Sequence, residues 1–136
     1  MPRRLGENIK NELKSLDPVS GSIIIYTYRI PSTEERVAYS RAMIELKDGE
    51  IILRPVEARQ EFGLKIIEGF DEGAFEKKIG DKWTPFSSDP ASPNYDPDWK
   101  QLLLKYAPDQ VEAIASHVFD GSKMIAVQRE VYDEKN

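Results

Sequence analysis

The run Ile23-Ile-Ile-Tyr-Thr-Tyr-Arg-Ile30 passes directly into Pro31-Ser-Thr-Glu-Glu35, and this junction constrains the fold more than any other stretch. β-Branched and aromatic residues fill the first segment, as in a half-buried strand. Pro31 has no amide to give a ladder and biases Ile30 away from helix, so the strand stops there. Ser32 with Glu35 three positions on matches a capping box, hydroxyl to backbone N–H and carboxylate back to the cap. Glu34 and Glu35 also place negative charge at the end of the helix where the dipole favours it.

Downstream, Tyr39, Ala42, Met43 and Leu46 recur at i, i+3, i+4 and i+7, predicting a helix that ends near Lys47-Asp48-Gly49. A rival reading makes 42–46 and 50–54 a hairpin about that Asp48-Gly49. Pro55 suits the first turn of another helix reaching about Glu68, with Gly63, Ile66, Ile67 and Phe70 on its inner face and Gly69 as its C-terminal cap. A glycine in mid-helix costs ~1 kcal/mol against alanine, so Gly63 points to close helix packing. At the other end of the chain Leu5, Ile9, Leu13 and Leu16 have helical spacing, ending at Asp17-Pro18 before a flexible joint at 19–22. Asp96-Pro97 reads as N-cap and N1 of a helix carrying Trp99, Leu102, Leu103 and Tyr106. Ala107-Pro108-Asp109 breaks it and starts another, with Val111, Ile114, Ala115 and Val118 facing the core. Residues 124–127, Met-Ile-Ala-Val, suit a strand beside 23–30.

These elements predict an α+β fold, a predominantly α-helical small domain with a two- or three-stranded antiparallel sheet. The organisation expected is an N-terminal helix and joint at 1–22, a single globular domain at 23–132 and a polar tail at 133–136. With 40% hydrophobic and 32% charged residues the chain is too apolar for wholesale disorder. A net charge of −5 argues against non-specific binding to nucleic acid or anionic membrane. The absence of cysteine excludes disulfides, thiolate catalysis and cysteine-bound zinc. Met1-Pro-Arg-Arg-Leu-Gly-Glu-Asn8 has no apolar segment behind its basic residues, so no secretory signal is expected, and no run spans a bilayer. The expectation is a soluble cytoplasmic protein with neither membrane nor nucleic-acid partner.

Catalytic and ligand motifs are sparse. His117 is the only histidine, without an H-E-x-x-H spacing, and Ser116 beside it points ~100° away on a helix. Glu68, Asp71, Glu72 and Glu76 cluster locally, but neither an EF-hand order nor an apolar wall accompanies them, so a solvated turn is expected. Gly69, Gly73 and Gly80 fit neither phosphate-binding pattern. Arg36 and Arg41 share a helix with Glu34, Glu35 and Glu45, a charge-balanced face. No catalytic residue, cofactor or metal is therefore assigned, and the chain is read as non-enzymatic.

The better candidate is the proline-rich stretch 83–97, with Pro85, Pro90, Pro93 and Pro97 among Ser, Asp and Asn. Trp83, Phe86, Tyr95 and Trp99 gather around it. Such rings give a large contact area with few rotors to freeze, which suits interface anchors; the competing role is to cover the core.

Three segments together carry a family resemblance: Tyr28-Arg-Ile-Pro-Ser-Thr-Glu-Glu-Arg-Val-Ala-Tyr39, Phe62-Gly-Leu-Lys-Ile-Ile-Glu-Gly-Phe70, and Trp99 with Ala107-Pro-Asp109 and His117-Val-Phe-Asp-Gly121. This pattern, over about residues 26–121, resembles small proteins of tailed-phage and prophage tail clusters, some of which are similar to tail assembly chaperones. The resemblance implies a protein-binding role in tail assembly, with a tape-measure or tail tube protein as partner, and supplies no catalytic residue. A cytoplasmic adaptor unrelated to phage is the alternative expectation, and a small enzyme the third.

Overall fold

The capping box forms as the residue order dictates. In the computed structural model Ser32 Oγ accepts from the Glu35 amide at 3.2 Å, and the Glu35 carboxylate accepts from the Ser32 amide at 3.1 Å. The structure describes residues 2, 5 and 11–121. In chain order they form β1 (Asn11–Leu16), β2 (Ile23–Tyr28), α1 (Thr33–Ala42), β3 (Ile44–Lys47), β4 (Glu50–Leu53) and α2 (Pro55–Ile66). There follow β5 (Ile67–Phe70), β6 (Glu76–Ile79), β7 (Lys82–Pro85), α3 (Trp99–Tyr106) and α4 (Pro108–Phe119). The expected strand at 124–127 and the tail at 133–136 lie outside the described residues.

The expectation of a predominantly helical domain with one small sheet is wrong. Among the described residues four helices accompany seven strands in three separate antiparallel sheets, 38% helix against 30% strand. Turn chemistry accounts for much of the difference. Asp48 and Gly49 have φ of 52° and 78°, the left-handed pair of a type I′ turn that matches strand twist. They join β3 to β4 in the register Ile44↔Leu53 and Leu46↔Ile51, so the rival hairpin forms and α1 stops at Ala42. Gly80, with φ of 61°, opens a second two-residue turn between β6 and β7.

Two further helical expectations fail because the sheet supplies these residues with a strand partner. Residues 11–16 are a strand and not the end of an amphipathic helix. They pair with β2 from Asn11↔Tyr28 to Leu16↔Ile23, where the β-rich run supplies a ladder an isolated helix would lack. The joint after them is an ordered hairpin loop, with the Asp17 carboxylate accepting from the Val19 amide and the Ser20 hydroxyl. Gly69 is not a helix cap but sits inside β5 opposite Thr27.

Cα packing divides the described residues into two compact units, those up to 29 with 67–99 and 30–66 with 100–121. In the first, β2 lies between β1 and β5, and Ile24 and Tyr26 are fully buried. Asp71 extends the ladder, its side chain accepting from the Ile25 amide while its own amide bonds to Ile25 O. Phe70 is the hub of an aromatic core, with edge-on rings of Phe75, Phe86 and Trp99 at centroid distances of 4.9, 5.7 and 5.7 Å.

In the second unit α2 packs on α4 through Gly63, and Val111, Ile114 and Ala115 are wholly buried. Tyr39 of α1 stacks on Phe119 at 4.4 Å and meets the edge of Phe62 at 5.7 Å. The break at Ala107-Pro108 is as expected: Pro108 opens α4 directly after α3 ends at Tyr106.

Candidate functional site

Residues 83–97 are held in place by their own polar side chains. Ser88 Oγ accepts from the Phe70 amide at 3.0 Å, Ser87 donates to the Glu72 carboxylate, and the Ser87 amide bonds to Asn94 O at 2.9 Å. Asp96 accepts from the Asp98 amide and from Lys77 Nζ, and the lysine holds its carboxyl below the ordinary 3.8. Among the clustered carboxylates, Asp71 and Glu72 thus have structural partners rather than an acid–base pairing.

This ordered loop separates the four expected interaction residues. Phe86 and Trp99 are 5% and 7% exposed and belong to the aromatic core of the first unit, whereas Trp83 and Tyr95 are 65% and 38% exposed. The core role therefore takes two rings, and only the other two are presented to solvent.

A larger apolar surface lies where the rings do not. The type I′ turn places Ile44, Leu46, Ile51 and Leu53 on one face of the β3–β4 hairpin, as two directly opposed pairs. Their exposures are 51%, 74%, 68% and 70%. The opposite face carries Glu45, Lys47, Glu50 and Ile52, with Glu45 paired to Arg54. The aliphatic side of this hairpin thus faces water, while on the mixed side only Glu45 and Ile52 are part-buried and Lys47 and Glu50 are exposed, a departure from ordinary strand patterning.

Between α1 and the hairpin runs an open groove of about 580 Å³, with Val37 and Ser40 of the helix and Ile44 and Leu46 of the strand in its wall. Arg36 and Arg41 line it as well. Neither guanidinium has an ion-pair partner among the described residues. The alternation Ile44-Glu-Leu-Lys47 and the β-type run Ile51-Ile-Leu53 about Asp48-Gly49 were the sequence signal for this face; the helical stripe ending at Leu46 concealed it.

His117 sits on the flank of α4, part-buried, and its Nδ1 has no hydrogen-bond partner among the described residues. Burial pushes its imidazole below the ordinary 6.5. A depressed folded-state value means that the unfolded chain binds the proton more readily, so stability is lost as pH falls from 6.5 through the folded value. Asp96 acts in the same direction only below its ordinary 3.8, so the two windows are separate. The melting temperature of the wild type should therefore decline as the pH falls below about 6.5, and His117→Gln should flatten that decline. Equal slopes in the two proteins would assign the decline to other groups.

Among the described residues no group of three His, Asp or Glu side chains is placed to hold a metal ion, and no helix is long and apolar enough to cross a membrane. Comparison with family models, curated proteins and solved structures returns no match.

Proposed function

We propose that this chain is a non-enzymatic, chaperone-like protein of phage or prophage tail assembly, acting in the host cytoplasm by holding a protein partner on its β3–β4 hairpin. The observation that carries the protein-binding role is the outward aliphatic face of Ile44, Leu46, Ile51 and Leu53. Fully burying such a side chain is worth about 1.5–3 kcal/mol, so four adjacent ones left in water amount to a substantial reserve of binding free energy. A two-stranded hairpin is itself marginal in water, and a partner seated on this face would stabilise both. The tail-assembly assignment rests on the resemblance over residues 26–121, which makes a tape-measure or tail tube chain the first partner to test.

The test replaces one opposed pair by Leu46→Lys with Ile51→Glu. Opposite charges across the strands keep the hairpin register while removing half of the aliphatic face. Co-expression with the tape-measure chain of the same gene cluster, followed by size-exclusion chromatography, should give a soluble complex with the wild type. The double variant should lose that complex by about tenfold with an unchanged melting temperature. Equal capture by both proteins would refute the hairpin as the binding surface. Capture through this face of a chain from outside the tail cluster would replace tail assembly by a general adaptor role.

A further inference from the structure

We infer that the α1–hairpin groove recognises an acidic amphipathic segment of a protein partner: aliphatic side chains seated on Val37, Ile44 and Leu46, bracketed by carboxylates that reach Arg36 and Arg41. The inference rests on the protein-binding reading and adds the chemistry of the ligand.

Three features of the groove select that occupant. At about 580 Å³ it is open along its length, so it cannot enclose a small molecule as a ligand pocket does. It runs into the exposed Leu46–Ile51 pair, which continues its apolar floor along the hairpin. Its lining contains two arginines and no carboxylate.

Two nearby acids are engaged elsewhere. Glu35 caps α1 and Glu45 is bound by Arg54, so neither satisfies the guanidinium groups of the groove. Arginine offers a planar fork that matches a carboxylate bidentately, and such pairs at the rim of an apolar contact set orientation and encounter rate. A basic segment would meet two like charges in the same place.

The probe is a displayed library of amphipathic peptides with randomised apolar and charged positions, selected on the full chain at low salt and re-measured at high salt. Enriched peptides should carry Asp or Glu on either side of an aliphatic core. Their affinity should fall about tenfold for Arg36→Gln/Arg41→Gln and weaken with salt. The charge-reversed Arg36→Glu/Arg41→Glu protein should select Lys or Arg instead; circular dichroism establishes that both variants fold.

Enrichment of neutral or basic peptides that still depend on Leu46 and Ile51 would overturn the acidic ligand and leave the protein-binding surface standing. An absence of enrichment, or enrichment indifferent to Leu46→Lys/Ile51→Glu, would overturn both. Sedimentation showing a dimer that the same hairpin substitutions dissolve would assign the face to a second copy and overturn the proposal.

Discussion

Phe70→Ala should cost about 3–5 kcal/mol, the upper range for removing a buried ring. The cavity has little means of closing. Phe75, Phe86 and Trp99 all meet the Phe70 ring edge-on, and each is anchored on a different part of the first unit. The backbone at Phe70 is fixed as well, opposite Tyr26 in the sheet and bonded through its amide to Ser88 Oγ. Phe86→Ala should be of similar size, because Phe86 also packs on Phe75 at 6.1 Å. Trp83→Ala is the control: its ring is exposed on β7, and surface changes of this kind stay within about 0.5 kcal/mol. Urea unfolding in a Trp83→Phe background leaves Trp99 as the single indole reporter inside the cluster. A loss below about 1 kcal/mol for Phe70→Ala would mean that the rings around it repack freely.

The contrast between Phe86 and Trp83 shows where the sequence was legible. Local signals that need no distant partner came through: the Ser32–Glu35 box, the Ala107-Pro108 break, and Gly63 as a site of close packing. Signals that depend on what lies opposite did not. Leu13 and Leu16, three positions apart, satisfy a helical spacing and fall on opposite faces of a strand, so only pairing with β2 overrides the helical period. Gly69 looks like a cap until Thr27 is found across from it.

The site was hidden in the same way. Tyr39 and Ala42 of α1, with its C-cap residue Met43, do pack together on the inner side of the second unit, but Leu46, one turn further, belongs to a strand and faces outward. The Asp48-Gly49 turn outweighs the continuing helical period because both its residues take the left-handed conformation a hairpin requires. Aromatic residues drew attention to 83–97 for their size. Exposure, which sequence does not report, makes the aliphatic hairpin the larger unpartnered surface.

Gly63→Ala should destabilise the second unit by about 1–2 kcal/mol, although helix propensity alone favours alanine by ~1 kcal/mol. The two effects oppose each other and geometry decides. A Cβ at Gly63 would lie 2.7 Å from the Val111 carbonyl oxygen, 2.9 Å from Val111 Cγ1 and 3.3 Å from Ala115 Cβ. A side-chain methyl can rotate aside, but a carbonyl in the body of α4 moves only with the helix. Separating α2 from α4 to make room would loosen the packing of Val111, Ile114 and Ala115, all fully buried. Val111→Ala removes the Cγ1 conflict and leaves the carbonyl conflict, so Gly63→Ala should cost less in that background without becoming stabilising. A double-mutant cycle by chemical denaturation measures this coupling, expected at about 0.5–1 kcal/mol. A higher melting temperature for Gly63→Ala alone would show that α2 and α4 can separate by a few tenths of an ångström at little cost, and that glycine at this position is not required by the helix contact.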